Sequence, residues 1–176
     1  MSRESSSILW WAKALALLLV VSSCGYHLRG RPPGFSSEWK SLYVEIFRNR
    51  TSETRAGVLL TEALRERFAR SGFLKLASSP KEADLVLSGE VVRLWIGGVS
   101  YNRYTETLER RLSVELRAEL RAPHGKILWR NTHLTRYETY PVEGTSEVID
   151  PGREIALRKL AEDLADIIYH QITASF

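Results

Sequence analysis

Apolar and polar positions alternate along Leu42-Tyr43-Val44-Glu45-Ile46-Phe47. Leu42, Val44 and Ile46 then share one face, which predicts a half-buried strand closed by Arg48-Asn49-Arg50. The period changes next. Ala56, Leu59, Leu60, Ala63, Leu64 and Phe68 recur at three- and four-residue spacing, the apolar stripe of a helix, with Arg55, Glu62, Arg65 and Glu66 opposite. Thr51 or Ser52 is the expected cap, Glu53 the first-turn anion that the helix dipole favours, and Gly72 the stop. Phe73 to Pro80 reads as a connector. Leu85, Leu87, Gly89 and Val91 alternate with Val86, Ser88 and Glu90 until the apolar phase passes to Leu94 and Ile96. A bulge near Gly89–Val92 explains that slip, and Gly97-Gly98 is expected to end or turn the strand.

Leu, Glu and Arg favour helices, so the segment 108–121 is the least obvious. Its even positions hold Leu108, Leu112, Val114, Leu116, Ala118 and Leu120, with Arg110 the exception, and every odd position from Glu109 to Arg121 is polar. Wound on a helix the even positions would scatter around the circumference, whereas on a strand they form one face. A strand is therefore expected, followed by a hairpin loop at Ala122-Pro123-His124-Gly125 and a fourth strand from Lys126 to about Tyr140. Arg110, in the apolar phase, must be paired, lie at the strand end, or face a partner. After a loop from Thr139 to Asp150, Asp150-Pro151 opens a second helix with Leu157, Leu160, Ala161, Leu164, Ile168 and Ile172 as its buried stripe. The order β-α-β-β-β-α predicts an α+β two-layer sandwich, a four-stranded, mostly antiparallel sheet with both helices on one face. The other face would carry Glu109, Arg111, Glu115 and Arg117, solvated or meeting a partner.

Composition adds little to that picture until the first residues are read. Arg3 and Lys13 flank the start of an apolar run, Ala14 to Val21, too short to span a bilayer but fitting the apolar region of a signal peptide. Residues 1–23 are thus expected to direct secretion, 24–41 to form a tether rich in glycine, proline and serine, and 42–176 to fold as one domain. Set apart from residues 1–23, the chain carries a net charge of +3 with both signs interspersed. That is too weak and too mixed for a nucleic-acid binder. His27, His124, His133 and His170 lack metal-ligand spacing, no G-x-S-x-G elbow or glycine-rich phosphate loop occurs, and neither a catalytic constellation, a metal site nor a cofactor is expected.

Cys24 is the sole cysteine, so an internal disulfide is impossible. Val21-Ser22-Ser23-Cys24 resembles the lipobox of bacterial lipoproteins, which implies acylation of Cys24 and cleavage before it. Several acyl chains anchor stably where one holds only marginally. Gly25 follows where an aspartate would, by analogy with well-studied envelopes, retain a lipoprotein in the inner membrane, so the outer membrane is the expected destination.

Cys24-Gly25-Tyr26-His27-Leu28-Arg29-Gly30 resembles the mature start of LptE-type lipopolysaccharide-assembly lipoproteins, and the element order is similar across nearly the whole chain. The resemblance implies an outer-membrane protein facing the periplasm. It would plug and help assemble the LptD-type β-barrel and bind lipopolysaccharide, with no covalent chemistry. Phosphates would be met by cations. In Val99-Ser100-Tyr101-Asn102-Arg103-Tyr104-Thr105 an aromatic followed by arginine is similar to the family's ligand pattern, which marks Arg103, and Arg111 on the polar face is a candidate to join it. Tyr101 and Tyr104 are candidates for the barrel wall, since interfaces enrich tyrosine. A lysine that the family places ahead of the last helix is absent from Glu147-Val148-Ile149-Asp150. The alternative is an accessory binding lipoprotein of another envelope complex that ignores lipopolysaccharide.

Overall fold

The strict alternation of residues 108–121 wins over their helix propensity because a strand puts all the even side chains on one side. In the computed structural model, which describes residues 35–101, 107–142 and 150–176, this segment is a strand. Numbered along the chain, the strands are β1 Ser41–Val44, β2 Arg48–Asn49, β3 Lys75–Leu76, β4 Leu85–Tyr101, β5 Thr107–Arg121 and β6 Ile127–Pro141. The helices are α1 Ala56–Ser71 and α2 Pro151–Ala174, with a short 3-10 turn at Pro123–Gly125. β4, β5 and β6 are antiparallel neighbours, while β1, β2 and β3 pair in parallel, giving the order β3-β1-β4-β5-β6 with β2 also on β4. The described sheet is therefore six-stranded and mixed, where four strands were expected. The α+β sandwich itself stands.

Both helices cover one face. Leu112, Val114, Leu116, Ala118 and Leu120 of β5 are buried, as are Leu59, Leu60, Leu64 and Phe68 of α1 and the whole predicted stripe of α2. Ala56, Leu60, Val91, Val114, Leu157 and Leu164 line one small crevice, so α1, α2, β4 and β5 meet there. Burying each large apolar side chain contributes about 1.5–3 kcal/mol, which makes this seam the main source of stability. Asp150 caps α2 by accepting from the Arg153 amide at 3.2 Å. Gly72 ends α1 in the left-handed region at φ 73°.

Four local expectations change. First, β1 stops at Val44, Ile46 is 65% exposed and Phe47 is buried. Val44 lies opposite Leu87 and Arg48 opposite Glu90, so the chain spends one more residue than β4 between those pairs. That bulge reverses the phase. The Phe47 amide donates to Thr61 Oγ1 at 3.0 Å instead of to β4. Second, α1 begins at Ala56 without a side-chain cap. Thr51 is taken up in a turn, where its Oγ1 accepts from the Glu53 amide at 3.2 Å, while Asn49 Nδ2 donates to the Glu53 carbonyl at 2.6 Å. Glu53 pairs with Arg153 of α2 at 2.6 Å, away from the α1 dipole. Third, the connector after α1 contains β3, hydrogen-bonded through the Lys75 and Ala77 amides to the carbonyls of Lys40 and Leu42, both at 2.9 Å. Fourth, Gly97-Gly98 does not end β4, since both residues pair with β5, opposite Arg111 and Arg110. The bulge expected near Gly89–Val92 falls between Val91 and Arg93.

Packed residues begin ahead of residue 42. Phe35 is buried, and its ring meets Trp39, Phe73 and Phe176 edge-on at centroid distances of 5.1, 5.4 and 4.8 Å. The same segment is latched to the sheet by Asp84, whose Oδ2 accepts from the Lys40 amide at 2.8 Å and from the Ser41 amide and hydroxyl at 2.9 Å. The Lys40 amide first, and the Ser41 hydroxyl second, hold this carboxyl below its ordinary 3.8. A lowered carboxyl pKa stabilises the fold fully above the unfolded value, and that contribution is lost as pH falls through the folded one. Asp84→Ala is expected to cost about 1 kcal/mol at pH 7, discounted for the latch's solvent contact. In urea unfolding, the gap between wild type and variant should narrow as pH drops below 3.8. A gap constant down to pH 2.5 would remove the ionised latch.

Candidate functional site

No helix among the described residues covers the second face of the sheet, and there the odd positions of β5 gather. The strand registers make cross-strand rows. Arg48 of β2, Glu90 of β4 and Arg117 of β5 stand side by side in one row. Ser88, Glu119 and Arg130 form the row beyond it, on β4, β5 and β6. Toward the other end of the sheet follow Arg93, Glu115 and Thr135, then Trp95, Ser113 and Tyr137, then Gly97, Arg111 and Thr139.

The first two rows floor a groove of about 500 Å³, whose lining includes Ile46, Arg48, Arg50, Arg117, Arg121 and Arg130. Its carboxylates lie low and its guanidinium groups stand at the rim. The Glu90 side chain is 13% exposed, against 64% for Arg50 and 52% for Arg117. Glu90 serves Arg50 at 2.5 Å and Arg117 at 3.8 Å, and Glu119 serves Arg121 and, at 2.9 Å, Arg130. At the opposite end the surface turns aromatic. The Arg111 guanidinium carbon lies 4.4 Å from the Tyr137 ring centroid and that of Arg93 5.5 Å from Trp95. Cation–π pairing of this kind holds arginines in place without neutralising them. Tyr137 is 57% exposed and Trp95 41%. In the neighbouring row Glu115 is buried and held by Arg93 at 3.1 Å and His133 at 3.2 Å.

Arg111 is thus on the open face, as its odd position requires, and stacked on Tyr137. Tyr101 closes β4, with its backbone opposite Thr107. Arg103, Tyr104 and Cys24 lie outside the described residues. Arg110 points to the helix side, 3.6 Å from Asp150 at the head of α2 and beside buried Tyr140, so pairing explains its place in the apolar phase. Burial first, and the Asp150 charge second, push the Tyr140 hydroxyl above its ordinary value.

The groove arginines were not anticipated as a group. Arg48-Asn49-Arg50 and Arg117-Ala118-Glu119-Leu120-Arg121 carry alternation that puts their cations on one face, but only the pairing register brings the two segments together.

The family model for lipopolysaccharide assembly, LptE, matches residues 39–172. No curated protein matches the chain significantly. Among solved structures, the rare lipoprotein B of Shewanella oneidensis is similar in fold, with a TM-score of 0.55, 14% identity, and coverage of 77% of this chain and 96% of that one. A putative lipoprotein from Caulobacter crescentus gives 0.55 and 15%, covering 76% and 88% respectively. Lipoprotein B of Nitrosomonas europaea gives 0.54 and 15%, covering 77% and 83%. The family model spans all the secondary structure described above except the last residues of α2, and on that match the chain belongs to the LptE lipopolysaccharide-assembly family.

Proposed function

We propose that this chain is an outer-membrane lipoprotein, anchored through acylated Cys24 and facing the periplasm. It binds lipopolysaccharide and plugs and helps assemble an LptD-type β-barrel, so that the glycolipid can be inserted into the outer leaflet. The observation that carries this reading is the family match over residues 39–172. The open sheet face supports it, because exposed guanidinium groups and aromatic rings on one surface suit a phosphorylated amphiphile and a protein wall alike. Arg103 and Arg111 are the proposed lipopolysaccharide contacts, and Tyr101 and Tyr104 the proposed barrel contacts. The work is binding and positioning, with no bond made or broken.

The test is calorimetric titration of the purified domain with lipopolysaccharide and with its dephosphorylated form. Phosphate recognition predicts clearly tighter binding of the phosphorylated form, with affinity falling as salt rises. Equal affinity for both forms would contradict it. Arg103→Glu should weaken binding while leaving barrel association intact, and unchanged affinity would remove Arg103 from the site.

A further inference from the structure

We infer that the groove on the open face is a second phosphate site, built on Arg48, Arg117 and Arg130, which takes a phosphomonoester group of an amphipathic glycolipid. This deepens the lipopolysaccharide reading and rests on it.

Five arginines and three glutamates line the groove. Each of Glu90 and Glu119 is shared between two guanidinium groups, so neither satisfies its partners fully. The 3.8 Å approach of Arg117 to Glu90 is too long for a hydrogen bond. Among the described residues Arg48 makes no ion pair, although it stands in the same row as Glu90 and Arg117. The floor thus holds Arg50, Arg121 and Arg130 in place, while Arg48 and Arg117, which no glutamate meets at hydrogen-bonding distance, keep donors for a ligand. A phosphate dianion, with three terminal oxygens, matches such planar forks better than a carboxylate, which the glutamates already supply.

The second observation is Ile46, 65% exposed at the rim of the same groove. A free inorganic anion gives that side chain nothing to cover, but a ligand with an apolar portion does. Location separates this site from the one expected around Arg103. Glu90 precedes Tyr101, the last residue of β4, by eleven positions, or roughly 35 Å along an extended strand. One phosphate cannot occupy both ends.

The test compares the wild-type protein with Arg48→Gln/Arg117→Gln and, separately, with Arg130→Gln. These side chains are exposed, and thermal unfolding confirms that the variants fold. Each protein is titrated with lipopolysaccharide, dephosphorylated lipopolysaccharide and inorganic phosphate. The inference predicts that the double variant loses affinity for lipopolysaccharide by about tenfold or more, that Arg130→Gln loses less, and that neither changes for the dephosphorylated form. Inorganic phosphate should bind far more weakly than lipopolysaccharide, and unequal loss of the two would assign the site to the glycolipid. If wild type binds lipopolysaccharide and the double variant binds it equally well, the groove is not the site, while the functional reading stands. If wild type ignores lipopolysaccharide, that reading fails, and phosphate-induced shifts in the amide NMR signals of Arg48 and Arg117 decide the groove alone. Their presence would keep an anion site there, and their absence would overturn it.

Discussion

Gly89→Ala is expected to destabilise the domain by about 3 kcal/mol, close to the upper end for overpacking a core. A Cβ at Gly89 would lie 2.2 Å from Cε1 of Phe47 and 2.5 Å from the Arg117 carbonyl oxygen. The ring is buried among α1 and the sheet, and the carbonyl belongs to the β4–β5 ladder, so neither can retreat cheaply. Gly97→Ala is the control on the same strand. No neighbouring atom lies within 4 Å of its added Cβ, and relief of backbone entropy should leave it neutral or stabilising by about 0.5 kcal/mol. Urea midpoints for the two variants make the comparison, and equal midpoints would contradict the seat assigned to Phe47. The consequence reaches the groove, because Phe47 sits between Ile46 and Arg48. Displacing the ring should move both rim residues, so Gly89→Ala is also expected to weaken binding of the phosphorylated ligand more than Gly97→Ala does.

Cys24→Ala is expected to remove the lipid anchor in the natural host, so that the chain not held by the barrel moves from the membrane to the soluble fraction. A single acyl chain binds a bilayer with an association constant of only about 10⁴ M⁻¹, whereas the several chains of a processed lipoprotein hold it stably. The thiol is the proposed attachment point, so its loss would remove every chain that processing adds. The folded part should be unaffected, since packing among the described residues starts at Phe35. Fractionation followed by thermal unfolding of the released protein measures both effects. A variant that stays with the membrane would show that a protein partner does the anchoring.

What the sequence made legible depended on unbroken periodicity. β5 was readable against its own helix propensity because, Arg110 apart, its polar and apolar positions never slip. The stripes of α1 and α2 were readable from Leu60, Leu64 and Phe68 and from Leu160, Leu164 and Ile168, all of which are buried. β2 and β3 were not, because two residues carry no period, and their pairing depends on β1 and β4 already being in place. Ile46 was assigned inward because a bulge that shifts the phase by one residue leaves no mark of its own in Val44-Glu45-Ile46-Phe47. The Thr51 cap was misplaced because its hydroxyl serves the turn before α1. The same limit governs the site. Arg111 could be placed on the open face by parity alone. The groove needs Arg48, Arg117 and Arg130 from three strands, and their proximity is a property of register that alternation does not specify.

Affinity capture of the tagged protein from native membranes in mild detergent is the most direct test of barrel and lipopolysaccharide binding, with mass spectrometry of the captured partners and of the mature N-terminus. A large β-barrel protein in near-equal amount, bound lipopolysaccharide, and an acylated residue 24 as the first residue are expected. Capture of the acylated chain with neither barrel nor lipopolysaccharide would contradict the proposed function.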